Sequence, residues 1–98
     1  MSMILSVIDR EKHRIEYMLS RYREEHSGLP KGVVCQRQRG EKVYYYLKYR
    51  DGNKVISKYL PRDRADEVKE LVKRREHIDA MIRSLEAELA IANKALEG

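Results

Sequence analysis

The stretch KVYYYLKYRDGNKVISKY, residues 42–59, decides how this chain folds. It holds five of the seven tyrosines, Tyr44, Tyr45, Tyr46, Tyr49 and Tyr59, set among lysines and an arginine. Aromatic and β-branched residues at this density suit a pleated, half-buried surface. The turn signal RDGN divides the stretch into two strands, KVYYYLKY over 42–49 and KVISKYL over 54–60. A third, VVCQRQR over 33–39, precedes them across a turn carrying Gly40. Three strands in succession joined by short turns predict an antiparallel meander.

The second turn fixes which side chains share a face. Asp-Gly commonly fills a two-residue hairpin turn, but pairing Arg50 with Asn53 sets Lys48 opposite Val55 and mixes polar with apolar residues on both sides. A three-residue loop, Arg50-Asp51-Gly52 with Gly52 as a left-handed bulge, separates them: Leu47 then faces Val55, Tyr45 faces Ser57 and Val43 faces Tyr59. On this register the expected core face carries Val33, Cys35, Val43, Tyr45, Leu47, Tyr49, Val55 and Tyr59. The opposite face carries Val34, Gln36, Gln38, Tyr44, Tyr46, Lys48, Lys54, Ile56 and Lys58.

Outward from the meander, both flanks read as helices. Met1, Leu5, Ile8, Ile15, Leu19 and Tyr22 step by fours and threes, with Lys12 in the one gap, which predicts a helix over 2–26 capped by Ser2 and ended by a left-handed Gly28. SGLPKG, residues 27–32, is a loop. From Asp63, the expected N-cap, Val68, Leu71, Arg75, Ile78, Ile82, Leu85, Leu89, Ala92 and Leu96 keep the same rhythm, and a helix over 63–97 follows. The fold class is α+β: long helix, three-stranded antiparallel meander, long helix.

A meander leaves the second helix at the far end of the sheet, so residues 63–77 should run back across the apolar face through Val68, Leu71 and Val72. The remainder should pair antiparallel with the first helix through Ile82, Leu85, Leu89 and Leu96. The expectation is one domain over 1–98, a sheet-and-helix head (sheet 33–60) on a two-helix stalk. Lys12 and Arg75 sit at seam positions, where long stems can carry their charges out to water, so that leucine at either site would raise stability. Ile4, Met18, Met81 and Ile91 lie beside the seam and widen it, and the apolar surface left over suggests a homodimer through the stalk.

Charge is segregated. The net +5 of the chain lies in its middle, where residues 28–62 carry nine bases against Glu41 and Asp51, a local +7. A chain of 98 residues buries only about 60–65% of its unfolded surface, which leaves little room for a deep catalytic cleft. Cys35 is the single cysteine, so no intrachain disulfide or cysteine cage for zinc can form. No run approaches the ~20 apolar residues of a membrane span, and MSMILSVIDREKHR turns to charge too early for a signal peptide. The expectation is a cytoplasmic protein with no membrane partner.

LPKGVV, VYYYLKYRDGNKVISKYLP and DEVKELVKRREHID together resemble a family of small uncharacterised bacterial and archaeal proteins. Its members share a Leu-Pro-Lys-Gly or Arg-Gly opening, a tyrosine-rich strand, a Gly-Lys hairpin and a long charged helix. The likeness spans roughly residues 29–80. It implies the helix, meander, helix layout and an association with mobile elements or phages, and it carries no biochemical activity. Many members hold a cysteine-rich insertion between the first two strands; here only QRQRGEK stands there, so no metal-linked role is implied.

The residues do not point to an enzyme. His13, His26 and His77 are scattered on helices without a nucleophile nearby, and there is no phosphate loop, metal-ligand spacing or cofactor motif. Nucleic acid, DNA or RNA, is the expected partner. Tyr44 and Tyr46 can stack on bases, Gln36 and Gln38 can read adenine edges, and Arg39, Lys48, Arg50, Lys54 and Lys58 attract phosphate. The alternative is a protein-interaction module or inhibitor, for example a phage-encoded blocker of a host nucleic-acid-binding or nuclease complex.

Overall fold

A computed structural model describes residues 2–98. Helix α1 spans Met3–Ser27, strands β1, β2 and β3 span Val33–Arg39, Lys42–Asp51 and Lys54–Leu60, and helix α2 spans Arg62–Glu97. The expected α+β order is therefore present, with a three-stranded antiparallel sheet between two long helices. Met1, placed on the apolar stripe of α1 by its spacing, lies outside the described residues.

The caps follow local chemistry. The Leu5 amide donates to Ser2 Oγ at 3.1 Å, so one orphan N–H of the first turn is satisfied by the residue expected to do it. Gly28 ends α1 without turning left-handed: its φ is −95°, and its N–H donates to the Glu25 carbonyl at 3.1 Å. That i→i−3 bond tightens the last turn into 3₁₀ form. Helix α2 begins at Arg62, directly after Pro61, whose carbonyl accepts from the Arg64 amide at 3.0 Å.

The chain forms two compact units. One consists of α1 and the part of α2 from His77 onward. Ile15, Leu19 and Leu85 are buried together, with Met18, Tyr22, Ile82 and Leu89 packed around them. Arg23 bonds Glu86 at 2.8 Å and His26 meets Asp79 at 2.6 Å, so later residues of α1 meet earlier ones of α2 and the pair is antiparallel, as the two stripes require. Ile4 and Ile91 lie outside this seam, 73% and 71% exposed, whereas Met18 is half-buried against it and Met81 is half-buried.

The other unit, Leu29–Glu76, holds the sheet and the first part of α2. Leu47 of β2 and Leu60 of β3 are buried against Val68 and Val72 of α2, with Val34, Tyr45 and Tyr49 packed alongside. Helix α2 therefore crosses one face of the sheet, as expected. Arg75 does not extend its charge to water. Its Nη1 donates to the carbonyl of Leu29 at 2.6 Å in a partly buried position, fastening the loop after α1 to α2.

The register differs from the expected one. Asp51 pairs with Lys54, leaving Gly52 and Asn53 as a two-residue turn. Gly52 has φ +62° and Asn53 has no positive φ, the signs of a type II′ turn, which takes glycine at its first central position. The first hairpin closes in the same way, Arg39 on Lys42 around Gly40 at φ +61°. Leu47 thus faces Lys58 instead of Val55, Tyr45 faces Leu60 instead of Ser57, and Tyr59 faces Tyr46 instead of Val43. The shift is odd in residues, so β3 is turned over relative to the expectation, and β1 likewise. Val33, Val55 and Tyr59, expected in the core, are 63%, 64% and 55% exposed. Val34, Ile56 and Leu60 take the inward positions.

Candidate nucleic-acid interface

The face of the sheet away from α2 can be read row by row from the pairing. Starting at the β1–β2 turn, the rows are Arg39 with Lys42, Arg37 with Tyr44, Cys35 with Tyr46 and Tyr59, Val33 with Lys48 and Ser57, and Arg50 with Val55. Successive rows are two residues apart, about 6.8 Å, so the face runs about 27 Å from Lys42 to Arg50. It carries five cations, and no strand residue on it is acidic. Glu41 lies in the turn beyond one end, and Asp51 belongs to the helix-facing side.

Tyrosines occupy the middle and cations the two ends. Tyr46 and Tyr59 meet edge to face, ring centroids 6.0 Å apart at 72°, a favoured aromatic geometry. The Arg37 guanidinium lies 5.9 Å from the Tyr46 ring centre, within reach of a cation–π contact. Tyr44 and Tyr46 are half-buried and Tyr59 is exposed. The Tyr46 and Tyr59 rings are thus held at defined positions, which lowers the entropy lost when a ligand covers them.

The expected site residues divide between the two sides. Arg39, Tyr44, Tyr46, Lys48 and Arg50 lie together on the outer face. Gln36, Gln38, Lys54 and Lys58 lie on the helix-facing side, and the Gln38 side chain donates to the Gly40 carbonyl at 3.2 Å. Lys42 joins the outer face by its parity with Tyr44, and Arg37 and Tyr59 join it through the register. Among the described residues, no group of three or more His, Cys, Asp or Glu could hold a metal ion, and no helix is long and apolar enough to cross a membrane.

Residues 3–70 match the model of a domain of unknown function, DUF6788. The chain belongs to the DUF6788 family. The match takes in α1, the whole meander and the start of α2, so the DUF6788 region contains every residue of the outer face. No curated protein and no solved structure matches the chain.

Proposed function

We propose that this protein binds nucleic acid through the outer face of its sheet. The observation that carries the reading is the composition of that face: Arg37, Arg39, Lys42, Lys48 and Arg50 around Tyr44, Tyr46 and Tyr59, with no carboxylate among its strand residues. Cations at both ends would hold a phosphate backbone, and the central rings would stack on bases, the combination used for single strands. No catalytic step is part of the reading; the face positions and holds.

Fluorescence anisotropy on single-stranded DNA, duplex DNA and RNA tests it. If the five cations each neutralise a phosphate on duplex DNA, log K falls against log salt with a slope near −4.5. Lys42→Ala or Lys48→Ala lowers that slope by about one unit each. Tyr44→Ala or Tyr46→Ala weakens single-strand binding by about 1 to 3 kcal/mol and leaves the slope in place. No binding to any of the three at low salt overturns the reading.

A protein partner is the second reading, favoured by the three arginines and three tyrosines of the face, residue types enriched in interface hot spots. Such a partner would present an acidic surface, and its binding would survive when oligonucleotides do not compete.

A further inference from the structure

Strand β3 is an edge of the sheet, so alternate residues of Lys54–Leu60 direct N–H and C=O groups away from β2 with no strand beside them. Alongside this edge, between β3 and α2, lies a groove of about 350 Å³. Its apolar lining includes Leu47, Leu60, Val68 and Leu71, and its exposed cations are Lys58 and Arg64. A trough bounded by a free strand edge and a helix is where an added strand can sit, its backbone on the edge and one side chain in the trough.

We infer that this groove is a docking site for an extended acidic peptide segment of a partner protein, which adds as a fourth strand beside β3. The charge of the edge selects the occupant. On the helix-facing side β3 presents Lys54, which already has Asp51 opposite it, then Ile56, Lys58 and Leu60, and Arg62 and Arg64 follow at the start of α2 with Asp63 between them, so Lys58 and Arg64 are the cations beside the groove. Arg64 is only loosely held by Glu67, at 3.8 Å with both side chains more than half exposed. A second copy adding its own β3 to this edge is disfavoured: Lys54 and Lys58 recur on the facing strand, and like charges facing across a strand pair are destabilising. A segment with an apolar side chain opposite Leu60 and carboxylates opposite Lys58 and Lys54 satisfies backbone, trough and charge together. The groove opens at the edge and helix-facing side of β3, with Tyr59 of the outer face at its rim, and it gives Lys54 and Lys58 a role that does not depend on nucleic-acid binding.

The test uses the full chain, labelled with ¹⁵N, and an acetylated, amidated heptapeptide Leu-Thr-Glu-Thr-Thr-Thr-Glu, which on antiparallel addition sets its leucine opposite Leu60 and its glutamates opposite Lys58 and Lys54. Amide shifts of residues 54–60 should move on titration while those of Arg37, Lys42 and Tyr44, which have no partner on β3, stay in place. Lys58→Glu, Lys54→Glu, or N-methylation of the peptide at its edge-facing amides should each weaken binding about tenfold or more. A peptide with lysine for glutamate should not bind. Equal binding by the N-methylated peptide, shifts confined to the outer face, or no saturation up to about 1 mM overturns the inference.

Discussion

Removing the guanidinium of Arg75 should destabilise the protein. Its Nη1 satisfies the Leu29 carbonyl at 2.6 Å, and loss of a partner for a partly buried acceptor costs about 1 to 3 kcal/mol. Arg75→Leu should therefore lower the melting temperature even though leucine completes the apolar stripe of α2; an unchanged or higher value would mean that the bond contributes nothing. Gly32 is the second exacting position. Its φ is +120°, and a Cβ built there runs into the Lys48 carbonyl oxygen and crowds Tyr49 Cβ at 3.0 Å. Gly32→Ala combines left-handed strain, about 1 to 3 kcal/mol, with a backbone clash, so it should be more damaging than Gly40→Ala, where a Cβ meets nothing within 4 Å. Comparative melts of the two variants read this directly. Spacing alone reveals that Arg75 breaks a stripe and that a glycine sits in the loop SGLPKG. It cannot reveal which carbonyl, 46 residues away, comes to meet the arginine.

At the scale of elements, the two sides of the sheet should differ sharply in tolerance. Leu47→Ala and Leu60→Ala should each cost about 2 to 5 kcal/mol because both side chains are buried against α2. Val55→Thr, at an exposed position, should stay within about 0.5 kcal/mol. Denaturant melts that ranked Val55 with Leu47 would restore the other register. The helices and strands are legible from residue order because their signals are long or sharply bounded: all three strand starts fall where the turn residues place them. The faces of β1 and β3 are not, for a local reason. Val33-Val34, Val55-Ile56 and Tyr59-Leu60 are adjacent apolar pairs, so either parity buries something, and only β2 carries a single preferred side. The choice then falls to the turn, and a glycine taking the first of two central positions reverses a strand that a three-residue loop would have left the other way up. Part of the outer face was therefore visible in the sequence, through Arg39 and the residues of β2. Arg37 and Tyr59 could be placed there only once the pairing was known.

At the scale of the whole molecule, each unit exposes its own kind of surface: Val33, Val55 and Tyr59 stand among the cations of the sheet, and the helical unit exposes apolar side chains away from that basic segment. The local +7 of residues 28–62 sits within the sheet-bearing unit. The exposed apolar side chains of Met3, Ile4, Val7 and Ile91 belong to the helical unit. If self-association follows from the latter, light scattering at about 100 μM should give a mass near twice the 11.6 kDa of one chain. Ile4→Glu with Ile91→Glu should then return the monomer without altering the salt dependence of the proposed nucleic-acid binding; a wild-type mass of one chain removes the dimer from consideration. The edge-to-face pair of Tyr46 and Tyr59 has a spectroscopic consequence. The sequence has no tryptophan, so no indole drains the excited state of its seven tyrosines, and all of the near-ultraviolet signal is phenolic. Three of those seven, Tyr44, Tyr46 and Tyr59, stand on the outer face. A ligand covering that face would quench a substantial part of the native emission and alter the circular dichroism of the coupled pair, so the unmodified protein is its own optical reporter of occupancy.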